Sequence, residues 1–226
     1  MWDAGWEKLF QSRDWGKYPD IEVVRFVARN YFSADCRSAV NILEIGCGTG
    51  ANLWFIAREG FTTHGRDGSS SAINKLRHRL EGQSLDAKLT VGDVNSLPYP
   101  DASMDAVIDC ECLYANSMED SKAIVAEITR VLKPSGKLFS MTFGTDTHGN
   151  GMGESIPGEP NTYSSLSAGA IRNDCGVVRF SSRGDLDSLY GSQLTIQSVD
   201  YVIRSVNGGP EVIQEWVVVA QKPFGA

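Results

Sequence analysis

The chain is short of positive charge, of histidine and of long apolar runs. Its 226 residues carry 21 Lys and Arg against 28 Asp and Glu, with 3 His and a net charge of −7. The corresponding pI lies near 5.0. Such a field repels phosphate backbones, and no Lys/Arg cluster is dense enough to reverse it locally, which argues against nucleic acid as a partner. The nearest basic run, Arg77, His78 and Arg79, falls in an expected helix and reads as its solvated face. No apolar run has the length needed to cross a bilayer, so a membrane-spanning protein is not expected. The first residues, MWDAGWEKLF, lack the basic and apolar regions of a secretory signal, and the expectation is a cytoplasmic chain. Cysteine is sparse and odd in number: Cys36, Cys47, Cys110, Cys112 and Cys175 include no CxxC pair, so neither a disulfide framework nor a thiolate metal site is expected. Cys110 and Cys112, two apart in an expected strand, face one side and read as packing. No metal is assigned.

What the sequence does have is the balance of one ordinary globular domain, 42% hydrophobic and 22% charged, spanning residues 1–226. Helical and strand patterns alternate from residue 19 to about 140, the signature of strand-helix-strand units on a parallel sheet and of a doubly wound α/β class. Pro19 opens a helix whose expected inner face is Ile21, Val24, Ala28 and Tyr31. Strands are expected at 40–45, 61–66, 87–91, 104–110 and 137–143, with helices at 52–59, 69–80 and 119–132 between them. The last of these strands follows a Lys133-Pro134-Ser135-Gly136 turn. Residues 144–178 are rich in Gly, Ser, Asn and Asp with little periodicity, and read as a lid-like insertion or as a disordered excursion. After a short helix at 184–190, strand segments 194–206 and 211–220 flank Asn207-Gly208-Gly209-Pro210. This hairpin would complete a mostly parallel seven-stranded sheet with an antiparallel C-terminal strand. Residues 1–35 form an N-terminal cap in which Trp6, Trp15 and Tyr18 either cover a ligand or anchor the first core helix.

The chemistry is concentrated at residues 43–50, LEIGCGTG. Gly46, Gly48 and Gly50 directly follow a strand, so the chain can turn tightly and aim free amides at a nucleotide-like ligand. Gly46, Gly48 and Ala51 also satisfy the GxGxxA fingerprint of NAD-binding folds, with Asp67 at the distance of a ribose-binding acid. Glu44 separates the two cofactors. A carboxylate at the end of a buried strand is costly unless a cation or a donor satisfies it. It suits a ligand carrying an ammonium and a sulfonium better than a doubly negative pyrophosphate; the alternative is a structural acid bonded to loop amides.

The ordered set LEIGCGTG, Gly65-Arg66-Asp67-Gly68-Ser69, Gly92-Asp93, Met104-Asp105-Ala106-Val107-Ile108-Asp109 and Val131-Leu132-Lys133-Pro134-Ser135-Gly136 resembles the class I, Rossmann-like S-adenosylmethionine (SAM)-dependent methyltransferases. The resemblance implies SAM as cofactor and S-adenosylhomocysteine (SAH) as product. It implies that Asp67 accepts the ribose hydroxyls, with Gly68 and Ser69 beside it, and that Asp93 and the Val94 amide take the adenine. Glu44, Cys47 and Asn52 join the glycines at the cofactor, Trp15 and Tyr18 close over it, and Asp109 and Glu111 stand near the methyl group. Tyr114 and Asn116 lie in a loop from which such enzymes contact substrate. His148, the only histidine outside the expected strands and helices, is the base candidate beside Tyr114. The polar insertion favours a polar small-molecule acceptor, sugar-like or amino-bearing, methylated on O or N. An NAD-dependent oxidoreductase and a non-catalytic SAM-binding module are the competing readings, and monomer and homodimer are both open.

Overall fold

The structure, a computed structural model, describes residues 2–13, 16–166, 168–170 and 173–225, with backbone alone at 173–175. Its helices are α1 (Gly5–Ser12), α2 (Ile21–Tyr31), α3 (Ala51–Arg58), α4 (Ser70–Glu81), α5 (Met118–Val131) and α6 (Arg183–Tyr190). Its strands are β1 (Asn41–Ile45), β2 (Thr62–Asp67), β3 (Lys88–Val91), β4 (Met104–Cys110), β5 (Leu132–Phe143), β6 (Glu154–Ser155), β7 (Thr162–Leu166), β8 (Asn173–Arg179), β9 (Thr195–Val206) and β10 (Glu211–Gln221). Seven of them form one sheet in the order β3-β2-β1-β4-β5-β10-β9. The first five run parallel, and β10 and β9 close the sheet as an antiparallel pair. The chain reverses its direction of travel across the sheet between β1 and β4, and a crevice opens there above the carboxyl ends of the strands.

Both faces of the sheet are covered, as its apolar strands require. Leu43, Ile45 and Val107 pack on one face under Ile124 and Ile128 of α5 and Leu186 of α6. Ile42, Ala106 and Phe139 pack on the other under Val23, Phe26 and Val27 of α2. The buried set of α2 lies at 23, 26 and 27; of the expected inner face, Val24 and Tyr31 pack against this cluster, while Ile21 is 56% exposed. Both sets have helical spacing, so periodicity alone does not choose the phase. The choice falls to packing: Phe26 meets Phe139 with ring centroids 5.3 Å apart, while the Asp20 carboxylate caps the helix by accepting from the Glu22 N–H.

Residues 144–178 depart from a structureless loop. They contain β6, β7 and β8, a three-stranded antiparallel sheet whose Tyr163, Leu166 and Val178 pack against Tyr114 and Phe143. The short runs TYSSL and NDCGVVR carry too few apolar residues to stand out in sequence, and the neighbouring edge of the main sheet completes their core. The Lys133 to Gly136 turn lies inside β5 as a bulge: the register against β4 passes from Met104 opposite Leu132 to Ala106 opposite Lys137, and Ser135 takes φ 63°.

Gly50 caps α3 in a left-handed conformation, φ 79°, and the Leu76 side chain of α4 fills the place a Cβ would occupy. Gly50→Ala is therefore expected to cost about 1–2 kcal/mol in backbone strain and about 1–3 kcal/mol more in overpacking. Equilibrium urea denaturation would read this as a lower midpoint at unchanged slope; an unchanged midpoint would refute the contact.

Candidate active site

At the reversal between β1 and β4 lies a cavity of about 430 Å³. Its floor is the glycine loop, where Gly46, Gly48 and Gly50 all have positive φ, at 61°, 51° and 79°. The loop is held from β2: the Asp67 carboxylate accepts from the Gly48 N–H and the Ser69 N–H, each at 2.8 Å. Asp67 itself lines the cavity, so holding the loop leaves it facing the open space; burial pushes its pKa up against these amide bonds.

Glu44 is 3% exposed at the end of β1. Its Oε1 accepts from Asn52 Nδ2 at 2.9 Å, and Asn52 Oδ1 in turn accepts from the Asp20 N–H at 2.8 Å. Glu44 Oε2 has no hydrogen-bond partner. Burial drives the carboxyl up to about 8, so the protein holds a neutral acid here near pH 7 unless a cation arrives.

Asp93 and Val94 line the far end. Asp93 Oδ2 accepts from the Trp2 N–H at 2.7 Å and Oδ1 from the Asn95 N–H at 3.2 Å. The Trp2 ring occupies the space above Gly68 that any Cβ would need. Arg66 fixes this segment by donating to the Val91, Asp93 and Ser96 carbonyls. Trp6, Phe10, Gly16 and Tyr18 complete the wall on this side, with Tyr18 82% exposed at the rim. Trp15 lies outside the described residues. Trp2 and Phe10 were not singled out in the sequence, whereas Trp6 of α1, expected to cover a ligand or to anchor the first core helix, does line the cavity. Helix α1 is pinned by Glu7, which accepts from the Ser69 and Ser71 hydroxyls, each at 2.5 Å. Those bonds hold the Glu7 carboxyl down at about 2; the Ser69-Ser70-Ser71 run at a helix start was the available signal.

Of the expected cofactor residues, Ser69 and Asp109 are not among those lining the cavity. Ser69 caps α4 by accepting from the Ala72 N–H. Asp109 is fully buried and accepts from the Cys112 and Leu113 amides and from Ser140 Oγ. It thereby shapes the turn that carries Glu111 and Cys112 into the cavity. Tyr114 and Asn116 do line it; the Tyr114 ring stands edge-on to Phe143 at 4.8 Å. His148 is not brought there. Its N–H donates to the Val212 carbonyl, and its imidazole Nδ1 lies 3.8 Å from Glu211. The strand pairing of β10 pulls this part of the insertion aside, so the geometry gives His148 no base role at the cavity.

The sequence reading missed Asp20, Arg204 and Glu215, which line the cavity beside Glu111. Glu215 comes from the C-terminal hairpin, over 100 residues from Glu111, and only the strand order makes them neighbours. Burial pushes Glu111 well above the carboxylate range, and its hydrogen bond with Glu215 and that group's charge reinforce the shift. Among the described residues, seven carboxyl side chains and one cation, Arg204, line the cavity.

A raised folded-state carboxyl binds its proton where the unfolded chain has lost it, so stability falls as pH rises through that window. For Glu44 the window runs from the usual carboxyl range to about 8. Asp67, Asp109 and Glu111 are raised as well and act in the same direction. His64, which burial holds down to about 4, acts the other way below its usual range, so the ligand-free protein should lose thermal stability between about pH 6.5 and 8, with a shallower decline in Glu44→Gln. A melting temperature that rises over this interval would contradict the assignment.

Residues 42–136 match the methyltransferase domain family. The chain is 35% identical over 103 residues to the demethylmenaquinone methyltransferase of Tropheryma whipplei (strain Twist), covering 45% of this chain and 41% of that protein. It is 32% identical over 122 residues to the fatty-acid O-methyltransferase of Mycolicibacterium smegmatis, covering 51% and 42%. The matched stretches thus span less than half the length of these relatives. In structure it resembles a SAM-dependent methyltransferase from Methanosarcina mazei with a TM-score of 0.72 at 22% identity, over 88% of this chain and 97% of that one. Among the described residues no helix is long and apolar enough to cross a membrane. Residues 42–136 thus match the methyltransferase domain family, and the chain shares the Rossmann-like fold of that solved structure.

Proposed function

We propose that this chain transfers a methyl group from SAM to an oxygen or nitrogen nucleophile of a polar small molecule. The observation that carries this reading is Glu44 Oε2, a buried carboxyl oxygen beside the glycine loop with no partner of its own. Such an atom calls for a cationic donor, and an amino-acid ammonium supplies one. SAM supplies that ammonium, together with a methyl group activated on a sulfonium.

The residues around Glu44 fit the remainder of the cofactor. Asp67, with lone pairs beyond those used on Gly48 and Ser69, serves the ribose hydroxyls. Asp93 and Val94 at the β3 end serve the adenine edge, with Trp2 and Gly68 beside them. Trp6, Phe10 and Tyr114 supply apolar wall that excludes water. Holding nucleophile and methyl donor in line is worth about 7–11 kcal/mol of barrier, and this scaffold acts mainly through that positioning. The carboxyl-rich lining opposes the oxidoreductase alternative, because a pyrophosphate would add two negative charges to it. The cavity also extends past the cofactor-side acids to Glu111 and Glu215, which favours an enzyme with a second ligand over a pure SAM-binding module. The two named relatives act by name on a quinone precursor and on fatty acids, so their acceptors do not transfer.

Calorimetric titration with SAH and with NAD tests the reading. SAH should bind and NAD should not, and near pH 7 binding should release a proton as Glu44 ionises against the ammonium. Glu44→Gln should weaken SAH by about tenfold or more, the worth of a charge-assisted bond, and abolish the proton release. Stabilisation by NAD without SAH binding would overturn the methyltransferase reading.

A further inference from the structure

The acids of the cavity follow the order of the strands. Asp93 and Asp67 stand at the β3 and β2 ends, Glu44 at β1, then Glu111 after β4 and Glu215 on β10, with Arg204 on β9. The first three are accounted for by the cofactor proposed above. The second group is not, and it contains a second deeply buried carboxyl, this one with a cation beside it. Glu215 is 1% exposed, and its Oε2 has no hydrogen-bond partner, although Arg204 Nη1 approaches to 3.3 Å. Glu215 sits opposite Phe143 in the β5–β10 register, so it marks the carboxyl end of β5, one strand from Glu111.

We infer that Glu111 and Glu215 form a carboxyl pair that binds the methyl acceptor as an ammonium and takes a proton from it, so that the acceptor is an amine. This rests on the SAM reading of the same cavity. Three observations favour an amine over an alcohol. The pair sits in a lining with seven carboxyl groups to one cation, a field that concentrates cations. Glu111 and Glu215 line one cavity, and burial, with the Glu215 charge beside it, holds Glu111 well above the carboxylate range, which makes its carboxylate a stronger base than a free one. That is strong enough to free a fraction of an ammonium as amine but far too weak to ionise an alcohol. Finally, no described histidine or lysine lines the cavity to act as a stronger base.

The step balances without any further reagent. The ammonium loses one N–H proton to the pair and becomes a neutral amine. The nitrogen lone pair forms the new N–CH3 bond while the S–CH3 bonding electrons pass to sulfur, leaving a neutral thioether and an N-methylated ammonium. The proton on the pair leaves to solvent as product departs. The charged groups facing Glu111 are Glu215 from β10, Arg204 from β9 and Asp20 at the start of α2. Arg204 pairs with Glu215 at 3.3 Å. Asp20 adds a second carboxylate for the incoming cation.

The test uses the full chain, isotopically labelled SAM and matched acceptors that differ only in NH3+ against OH: glucosamine and glucose, tyramine and tyrosol, ethanolamine and ethylene glycol. SAH binding is measured in parallel for every variant, so a failure of the SAM reading or of folding shows there first. The expected result is label on an amine of the panel and none on its alcohol twin. Glu215→Gln and Glu111→Gln should each retain SAH binding within about threefold and lose tenfold or more in kcat/KM near pH 7. That loss should shrink as pH approaches the amine's own pKa, because the acceptor then arrives neutral. Label on alcohols but not amines overturns the inference. So does a chain that binds SAH yet labels no amine, and so do variants whose pH profiles match the parent's.

Discussion

The Asp67 carboxylate bridges two loops. One oxygen takes the Gly48 amide and the other the Ser69 amide, so the glycine loop after β1 and the turn into α4 are fastened to the end of β2. That bridge, with the Cys47 N–H donating to the Arg66 carbonyl and the Gly50 N–H to the Cys47 carbonyl, holds three alternating positive-φ glycines in one conformation. With it, the loop is rigid, α3 begins in register with Leu76 beneath Gly50, and Glu44 is left buried behind the loop with half its hydrogen-bonding capacity unused. The site's principal electrostatic feature therefore follows from a backbone constraint.

A second consequence concerns charge. Burying several carboxyls along one sheet edge is unfavourable in the ligand-free protein, and the raised Glu44, Asp67 and Glu111 register that cost. In the proposed reading that cost becomes binding energy for cations, because a ligand charge beside a protonated carboxyl favours release of the proton and a carboxylate in its place. A cavity built this way is poorly suited to phosphates and well suited to a sulfonium and an ammonium together. The N-terminal segment closes it through Glu7 on the serine-rich start of α4 and through Trp2 on Gly68 and Asp93.

Much of the core was legible because it rests on local rules. The strands at 40–45 and 104–110 agree closely with β1 and β4, since a buried parallel strand is a short apolar run between turn residues. Glu44, Asp67 and Asp93 were legible because they directly follow or end such strands. Residues whose position depends on packing were harder to place. The phase of α2 turned on Phe26 meeting Phe139, and the small sheet in 144–178 takes its core from Tyr114 and Phe143 elsewhere in the chain. His148 stood out as a histidine in a polar loop, but hydrogen bonding to Val212 draws that loop to the outer hairpin.

The sequence by itself determined the doubly wound order of elements, the glycine loop and the acids that end β1 and β2, because spacing along the chain and the chemistry of strand ends suffice for these. Only the tertiary structure decided what lines the cavity beyond the glycine loop. Glu111 follows β4, Glu215 lies on β10 and Arg204 on β9, and the β4-β5-β10-β9 order that brings them to one cavity is encoded by no local pattern.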